Sequence, residues 1–434
     1  MRAAPAPRSR RWRLLAAALT VASVAAGCSP VPQPEPSPTI SATSERGPVV
    51  LAVPDSSAAT WTKLAERWNA SHRNEPITVR ALPDDAAARH NELADAGRAG
   101  SGEFTVMAVD PTWIPEFAAD QWLAKLPSGS FPTDGLQQTA VSLSTVDGQL
   151  YGYPVTADAG VLYYRKDLLA AAKVAVPKTW AELSRACSQI EAQFHGELSC
   201  YGVGLGTSES LTVATAEAVD SAGGQLMATA SKPGFDSAQA ARGVGALADA
   251  VQDGTIPSAA LNWSDSDAAQ AFLDGRTIFL RGWPTVWGRA QSTDGTSRVY
   301  GRVAVAPLVG VAGTGVSAFG GMTLSISSHA RNQATADDVV RWLAGDEAQR
   351  LLVSEGSAGP ALTTVSSDEA LTKQYPWLGV VTAAVKGSRP LPVTVHYTDF
   401  STAVQSAIAP VLAGKVEVSK ALADLQNRLS ELLK

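Results

Sequence analysis

The sequence predicts an α/β fold built on a parallel sheet with covering helices. Three observations carry that prediction. From about residue 48 onward, short apolar runs rich in β-branched residues alternate with segments of helical periodicity. Hydrophobic residues make up 45% of the chain and charged residues 18%, so there is apolar material for a sizeable core. No second long apolar run follows the one near the amino terminus. The length allows two domains or three.

The elements follow in order. "PVVLAV" reads as a strand, and "ATWTKLAERWNASH" as a helix with Trp61, Leu64, Ala65 and Trp68 on one face. "PITVRAL" is a second strand. "DDAAARHNELADAGRAG" is a helix opened by Asp84 and Asp85 near its positive end and stopped by glycine. "FTVMAVD" is a third strand. In open sheets of this kind, ligand groups lie just past the carboxyl ends of the strands. Asp55 and Ser56 of "PDSSA" stand after the first strand, and Asp110 of "DPTW" after the third. Spacing leaves Asp110 two roles: it meets a ligand, or it caps the helix of "PTWIPEFAADQW".

Ahead of this body stand Arg2, Arg8, Arg10, Arg11 and Arg13, then an apolar run over residues 14–26. That run is too short for a permanent span but suits a secretory signal over residues 1–27. Its end, "VAAGC", resembles the bacterial lipobox. The resemblance implies that Cys28 is acylated and that several chains hold the exported protein at the outer face of the cell membrane; an ordinary cleaved signal or a membrane-anchoring stub is the alternative. Residues 28–48, rich in Pro and Ser, read as an extended tether. Without the signal arginines, 30 basic residues face 41 acidic ones, a formal charge of −11. That excludes a basic stripe for nucleic acid and disfavours a strongly anionic ligand. Cys187 and Cys200 are then an even remainder outside the cytoplasm, which points to a disulfide. Their spacing matches no zinc pattern, and no metal or cofactor is expected.

The passage "GQLYGYPVTADAGVLYYRKDLLAAAKVAVPKTWAEL" reads as turn, strand, polar loop, strand, short helix and a second helix opening at Trp180. With Tyr151, Pro154, Tyr163, Tyr164, Lys166, Asp167, Pro177, Lys178, Thr179 and Trp180 in that order, it resembles the sugar-binding proteins of bacterial ABC importers. "AAQAFLDGRTIFLRGWPTVW", "VSAFGGMTLSISSHA" and the helix "ATADDVVRWLAGDEAQRLLVSEGSAGP" extend the likeness over nearly the whole chain. It implies a two-lobe periplasmic-binding fold of type II character, with lobes interleaved through crossover strands near residues 155–157, 316–319 and 362–365 and a ligand cleft between them. Residues 49–156 and 319–362 form the amino-terminal lobe on this reading, and residues 157–318 and 363–434 the carboxy-terminal lobe.

Within that family, "VMAVDPTWIPEFAADQWLAKL", "YPVTADAGVLYYR", "GWPTVW", "FGG" and "SRPLPV" are similar to the trehalose-binding lipoproteins of mycobacterial importers and their disaccharide-binding relatives. The similarity implies ligand contacts from Asp110, Asp158, Asp265, Trp283, Gly320, Gly321 and Arg389. Asp158 is charged where an amide is usual, and Gly282 stands where Asn is usual; both departures leave the particular sugar open. The residue types suit the task. Carboxylates accept hydroxyl hydrogen bonds, a guanidinium donates a rigid fork, and an indole covers an apolar C–H face. Trp61, Trp68, Trp122, Trp342 and Trp377 lie in helical patterns and read as core.

The expectation is a monomeric, lipid-anchored binding component that captures a neutral disaccharide or short oligosaccharide, best trehalose or maltose-like, and hands it to permease transmembrane subunits. It is not expected to be an enzyme. "GTSES" lacks the second glycine of a nucleophile elbow, the histidines are scattered, and no Walker loop occurs. A surface-anchored carbohydrate hydrolase and a non-transport structural lipoprotein remain the alternatives.

Overall fold

The computed structural model describes residues 45–194 and 198–434. The signal segment, Cys28 and most of the tether lie outside the described residues. Strand β1 (Val49–Pro54) leads into helix α1 (Asp55–Ser71), strand β2 (Ile77–Leu82), helix α2 (Ala86–Arg98) and strand β3 (Val106–Val109). β1 pairs in parallel with both β2 and β3, as the alternation predicts. α1 begins earlier than its apolar period indicates: "DSS" is its first turn, with Pro54 at the cap, the Ser57 hydroxyl on the Pro54 carbonyl and Asp55 at the positive end. α2 is capped by Asp85, whose side chain accepts from the Ala88 N–H at 2.9 Å.

The first sheet runs β2–β1–β3, then the strand Thr323–Ile326, then Tyr153–Pro154 at the edge, the last two joining antiparallel. A second sheet orders Val303–Ala306, Val161–Arg165, Thr277–Gly282 and Ser199–Gly202. The chain therefore leaves the first sheet after Pro154, builds the second, and returns after Ala306. The molecule has two lobes with interleaved strands.

The two passages between lobes meet. Asp158–Ala159 pairs antiparallel with Phe319–Gly320. A third stretch closes on them: the Ala157 N–H donates to the Gly359 carbonyl at 2.8 Å, and Thr156 bridges Pro360. Beyond it the helix Pro376–Gly387 packs beside strands of the second sheet. The final helices Tyr397–Leu412 and Val418–Leu432 cover the helices Glu209–Ser221 and Ala238–Gln252.

Trp61, Trp68, Trp113 and Trp377 are buried. The segment expected as one helix over residues 334–360 is two, Gln333–Leu343 and Asp346–Gly356. Gly345 is extended there, with ψ near 168°, and Asp346 and Glu347 start the second helix at its positive end.

Cys187 and Cys200 are bonded, joining the middle of the helix Trp180–Phe194 to the strand Ser199–Gly202 across a Cα–Cα distance of 5.4 Å. The pair is 13 residues apart, so the chain-entropy model credits the bond with about 3 kcal/mol. Replacing both cysteines with alanine is expected to lower the unfolding free energy by about that amount in equilibrium urea unfolding. An unchanged midpoint would show that the link does not constrain the unfolded chain.

Candidate functional site

From the first lobe comes Asp110, directly after β3. Its Oδ1 accepts from the Thr112 N–H at 3.0 Å and the Thr112 hydroxyl at 2.7 Å, so it does cap the following turn. Arg89 of α2 donates to the Pro83 and Asp84 carbonyls, both at 2.9 Å, and its guanidinium lies 5.3 Å from the Trp113 ring centre. Burial lowers the Arg89 pKa, while Asp110, Asp84 and Asp85 favour its charge. Ser56 is occupied locally: its N–H and hydroxyl both donate to Asp84 Oδ1, at 2.9 and 2.7 Å. Asp55 is exposed in the first turn of α1, on the same edge of the sheet.

The second lobe supplies Asp265 and Trp283. Asp265 opens the helix Asp265–Leu273, which is held by a reciprocal capping box between Ser264 and Asp267. Asp265 Oδ2 accepts from the Trp283 indole N–H at 3.0 Å. The Trp283 and Pro284 carbonyls lie 2.9 and 3.0 Å from the hydroxyl of buried Tyr163, which steadies the turn after the strand Thr277–Gly282. The Trp283 ring rests against Gly320 so closely that a Cβ there would come within 2.5 Å of it. Gly321, at φ +129°, has no room for a Cβ either: one would sit 2.4 Å from the Thr156 carbonyl oxygen. The glycine pair thus lets the returning segment pass beneath the indole.

Sequence reasoning missed Glu209, the first residue of the helix Glu209–Ser221. Its carboxyl accepts from the Tyr397 hydroxyl and, at 2.7 Å, from the Ser401 hydroxyl. Burial pushes its pKa up to about 7, and the charges of Asp110 and Asp265 add to the shift. Asp110 belongs to one lobe and Asp265 to the other, so the fields of both lobes converge on this carboxyl. The available signal was the glycine-rich strand end "GVGLG" followed by a polar helix start, the same strand-end logic that pointed to Asp110.

Two predicted residues stand differently. Arg389 Nη1 donates to Asp220 Oδ1 at 3.2 Å and to the Gly224 carbonyl at 2.6 Å. Its backbone carbonyl accepts from the Phe319 N–H at 2.7 Å, so the main chain adjoins the returning segment while the guanidinium is held at Asp220. Burial pushes Asp220 up to about 6 against the pull of Arg389. Asp158 is buried between crossing segments, with Oδ1 accepting from the Gly359 N–H at 2.6 Å. Burial pushes its pKa up to about 7, opposed by that bond and by Thr156. Among the described residues no group of three or more His, Cys, Asp or Glu side chains is arranged to hold a metal ion.

Two lobes of interleaved strands, joined by paired crossing segments, define the fold of a solute-binding protein. The chain belongs to the bacterial extracellular solute-binding protein family, whose model matches residues 54–350. Its place is accordingly outside the cytoplasm. It is 30% identical to a probable ABC transporter-binding protein of Deinococcus radiodurans, over 85% of this chain and 89% of that one. It is 24% identical to the galactooligosaccharide-binding protein of Bacillus subtilis, over 81% and 82%. In fold it is similar to maltose-bound T. maritima MalE3, with a TM-score of 0.82 at 24% identity over 89% of this chain and 99% of that one. The GacH receptor of Streptomyces glaucescens, solved unliganded and with acarbose, gives 0.79 at 21% identity over 89% and 98%.

Two expectations follow from this geometry. Gly320→Ala forces the Trp283 ring aside, at a cost of about 1–3 kcal/mol for overpacking; near-UV circular dichroism should change while the far-UV signal stays. An unaltered near-UV spectrum would show that the indole is not held against this glycine. The second concerns Asp158. A carboxyl whose folded pKa of about 7 exceeds the ordinary 3.8 of an exposed aspartate binds its proton more tightly in the folded state. Its contribution to stability is therefore greatest below about pH 4 and falls as pH rises to about 7. Asp158→Asn keeps the Oδ1 acceptor and removes the ionisation. The variant's melting temperature should gain on the parent's between pH 5 and pH 8, and a constant difference would refute a buried ionising group here.

Proposed function

We propose that the protein is the substrate-binding component of an ABC importer for a neutral disaccharide or short oligosaccharide, trehalose or maltose-like. On this reading it is a monomer, tethered to the membrane by lipid on Cys28. It delivers its sugar to permease transmembrane subunits after the lobes close. The observation that carries the reading is that the Glu209 carboxyl feels the charges of Asp110 from one lobe and of Asp265 from the other, while Asp265 holds the Trp283 indole N–H at 3.0 Å. Carboxylates that accept sugar hydroxyls form charge-assisted bonds worth about 1.5–3 kcal/mol each. The indole, backed by Gly320, offers a flat face for ring C–H groups. A ligand that touches both lobes favours the closed form by its differential affinity for that form. The family and the sugar-binding relatives named above support the carbohydrate class.

Glu209 supports a second reading. A carboxyl whose pKa burial pushes up to about 7 has the protonation required of the general acid in a glycoside hydrolase. Against it, both Glu209 oxygens are engaged by hydroxyls from the helix Tyr397–Leu412.

One experiment separates the readings. The mature chain is screened by thermal shift against trehalose, maltose, lactose and longer oligosaccharides, and each sugar is recovered afterwards. Binding raises the melting temperature by mass action. At least one disaccharide should stabilise the parent, be recovered intact and have no effect on Trp283→Ala. Cleaved sugar would establish the hydrolase, and no shift from any carbohydrate would remove the sugar-binding reading.

A further inference from the structure

We propose that Arg281, paired with Glu217, is a positioning residue of the binding face: a buried ion pair that sets the pose of Trp283 and Asp265 and locks it to the segment returning between the lobes. The inference rests on the sugar-binding reading for its consequence, but not for its geometry.

Arg281 lies at the end of the strand Thr277–Gly282, two residues before Trp283. Its side chain is 2% exposed and that of Glu217 is 8%. The guanidinium meets the carboxylate fork to fork, Nε on Oε2 at 3.0 Å and Nη2 on Oε1 at 2.8 Å. The remaining nitrogen, Nη1, reaches Asp265 Oδ2 at 3.5 Å. The same Asp265 oxygen takes the Trp283 indole N–H, and the Arg281 guanidinium carbon lies 4.2 Å from the Trp283 ring centre. Cation, carboxylate and indole thus form a closed triangle, each side a direct contact.

The other end of the pair faces the lobe crossing. Glu217 Oε1 also accepts from the Ala318 N–H at 3.2 Å, one residue before the Phe319–Gly320 strand that lies under the indole. On the outgoing passage, Gly160 runs so near that a Cβ would sit 2.6 Å from Glu217 Oε1 and 2.7 Å from Arg281 Nη2. Its carbonyl accepts the Ser317 hydroxyl at 2.6 Å. One ion pair therefore touches the outgoing segment, the returning segment and the two side chains offered to the ligand.

Energetics favour a positioning role over a stabilising one. A buried ion pair is weak as a source of stability, because desolvation offsets much of the attraction. What a planar fork supplies is direction, which a lysine point charge does not. Arg281 also contacts Asp265, which with the Trp283 indole bond fixes that carboxyl's orientation.

The test uses the mature chain with ¹⁵N-labelled tryptophan and the variants Arg281→Met, Arg281→Lys and Glu217→Gln. The Trp283 indole N–H resonance, assigned with Trp283→Phe, is read in the sugar-free protein. Affinity for trehalose and maltose is read by calorimetry well below each variant's melting temperature. Arg281→Met and Glu217→Gln should move the Trp283 resonance while other indole resonances stay in place, and weaken sugar binding at least tenfold; Arg281→Lys should restore part of both. Folded variants with the parent's Trp283 resonance and affinity would overturn the proposal, as would shifts spread over all indoles. If Arg281→Met does not fold, the isosteric Glu217→Gln carries the same outcomes. If neither sugar binds the parent, the functional reading fails, and the resonance alone still decides whether the pair positions Trp283.

Discussion

The constraint on which the rest depends is the close passage of three chain segments between the lobes. Asp158–Ala159 and Phe319–Gly320 run antiparallel there, and Gly359 closes the third side through the Asp158 carboxyl and the Ala157 N–H. The approach is possible because Gly160, Gly320, Gly321 and Gly359 carry no side chain; at each, a Cβ would meet an atom of the crossing or of the binding face at under 3 Å. Short, paired connections fix the register that joins the two lobes. They also deliver the ends of both sheets to one place, which makes a shared cleft.

Charge is managed at that crossing by pairing in depth and by proton retention where no cation is near. Arg281 and Glu217 neutralise each other and also hold Asp265. Arg389 serves Asp220. Asp158 and Glu209 have hydrogen-bond donors instead of a cation, so burial dominates and their pKa values rise. The site is therefore less negative near neutral pH than its count of acids indicates. This suits a ligand that is polar and uncharged.

How much was legible in the sequence differs by residue. The parallel pairing of β1 with β2 and β3 followed from alternating periodicities, because local pattern and sheet topology agree there. Asp110 was placed at a strand end for the same reason, with its cap role left open; the Thr112 bonds show that it caps. Trp283, Asp265 and Gly320 were grouped through family resemblance, and they do touch. Glu209 and Tyr397, 188 residues apart, share a hydrogen bond that no local pattern announces. Arg389 read as a sugar donor; the partners of its Nη1, Asp220 and the Gly224 carbonyl, are visible only after folding.

By itself, then, the sequence determined the α/β class, the helix start signalled by Asp85 and the cysteine pair, while family resemblance supplied the candidate cleft residues. Those depend on periodicity, capping and composition, which act over a few residues. Only the tertiary structure decided which acids burial pushes up in pKa, which arginine meets which carboxylate and which glycine makes room for an indole. Those depend on burial and on contacts between segments distant in sequence, where a difference of about an ångström separates a ligand contact from an internal tie.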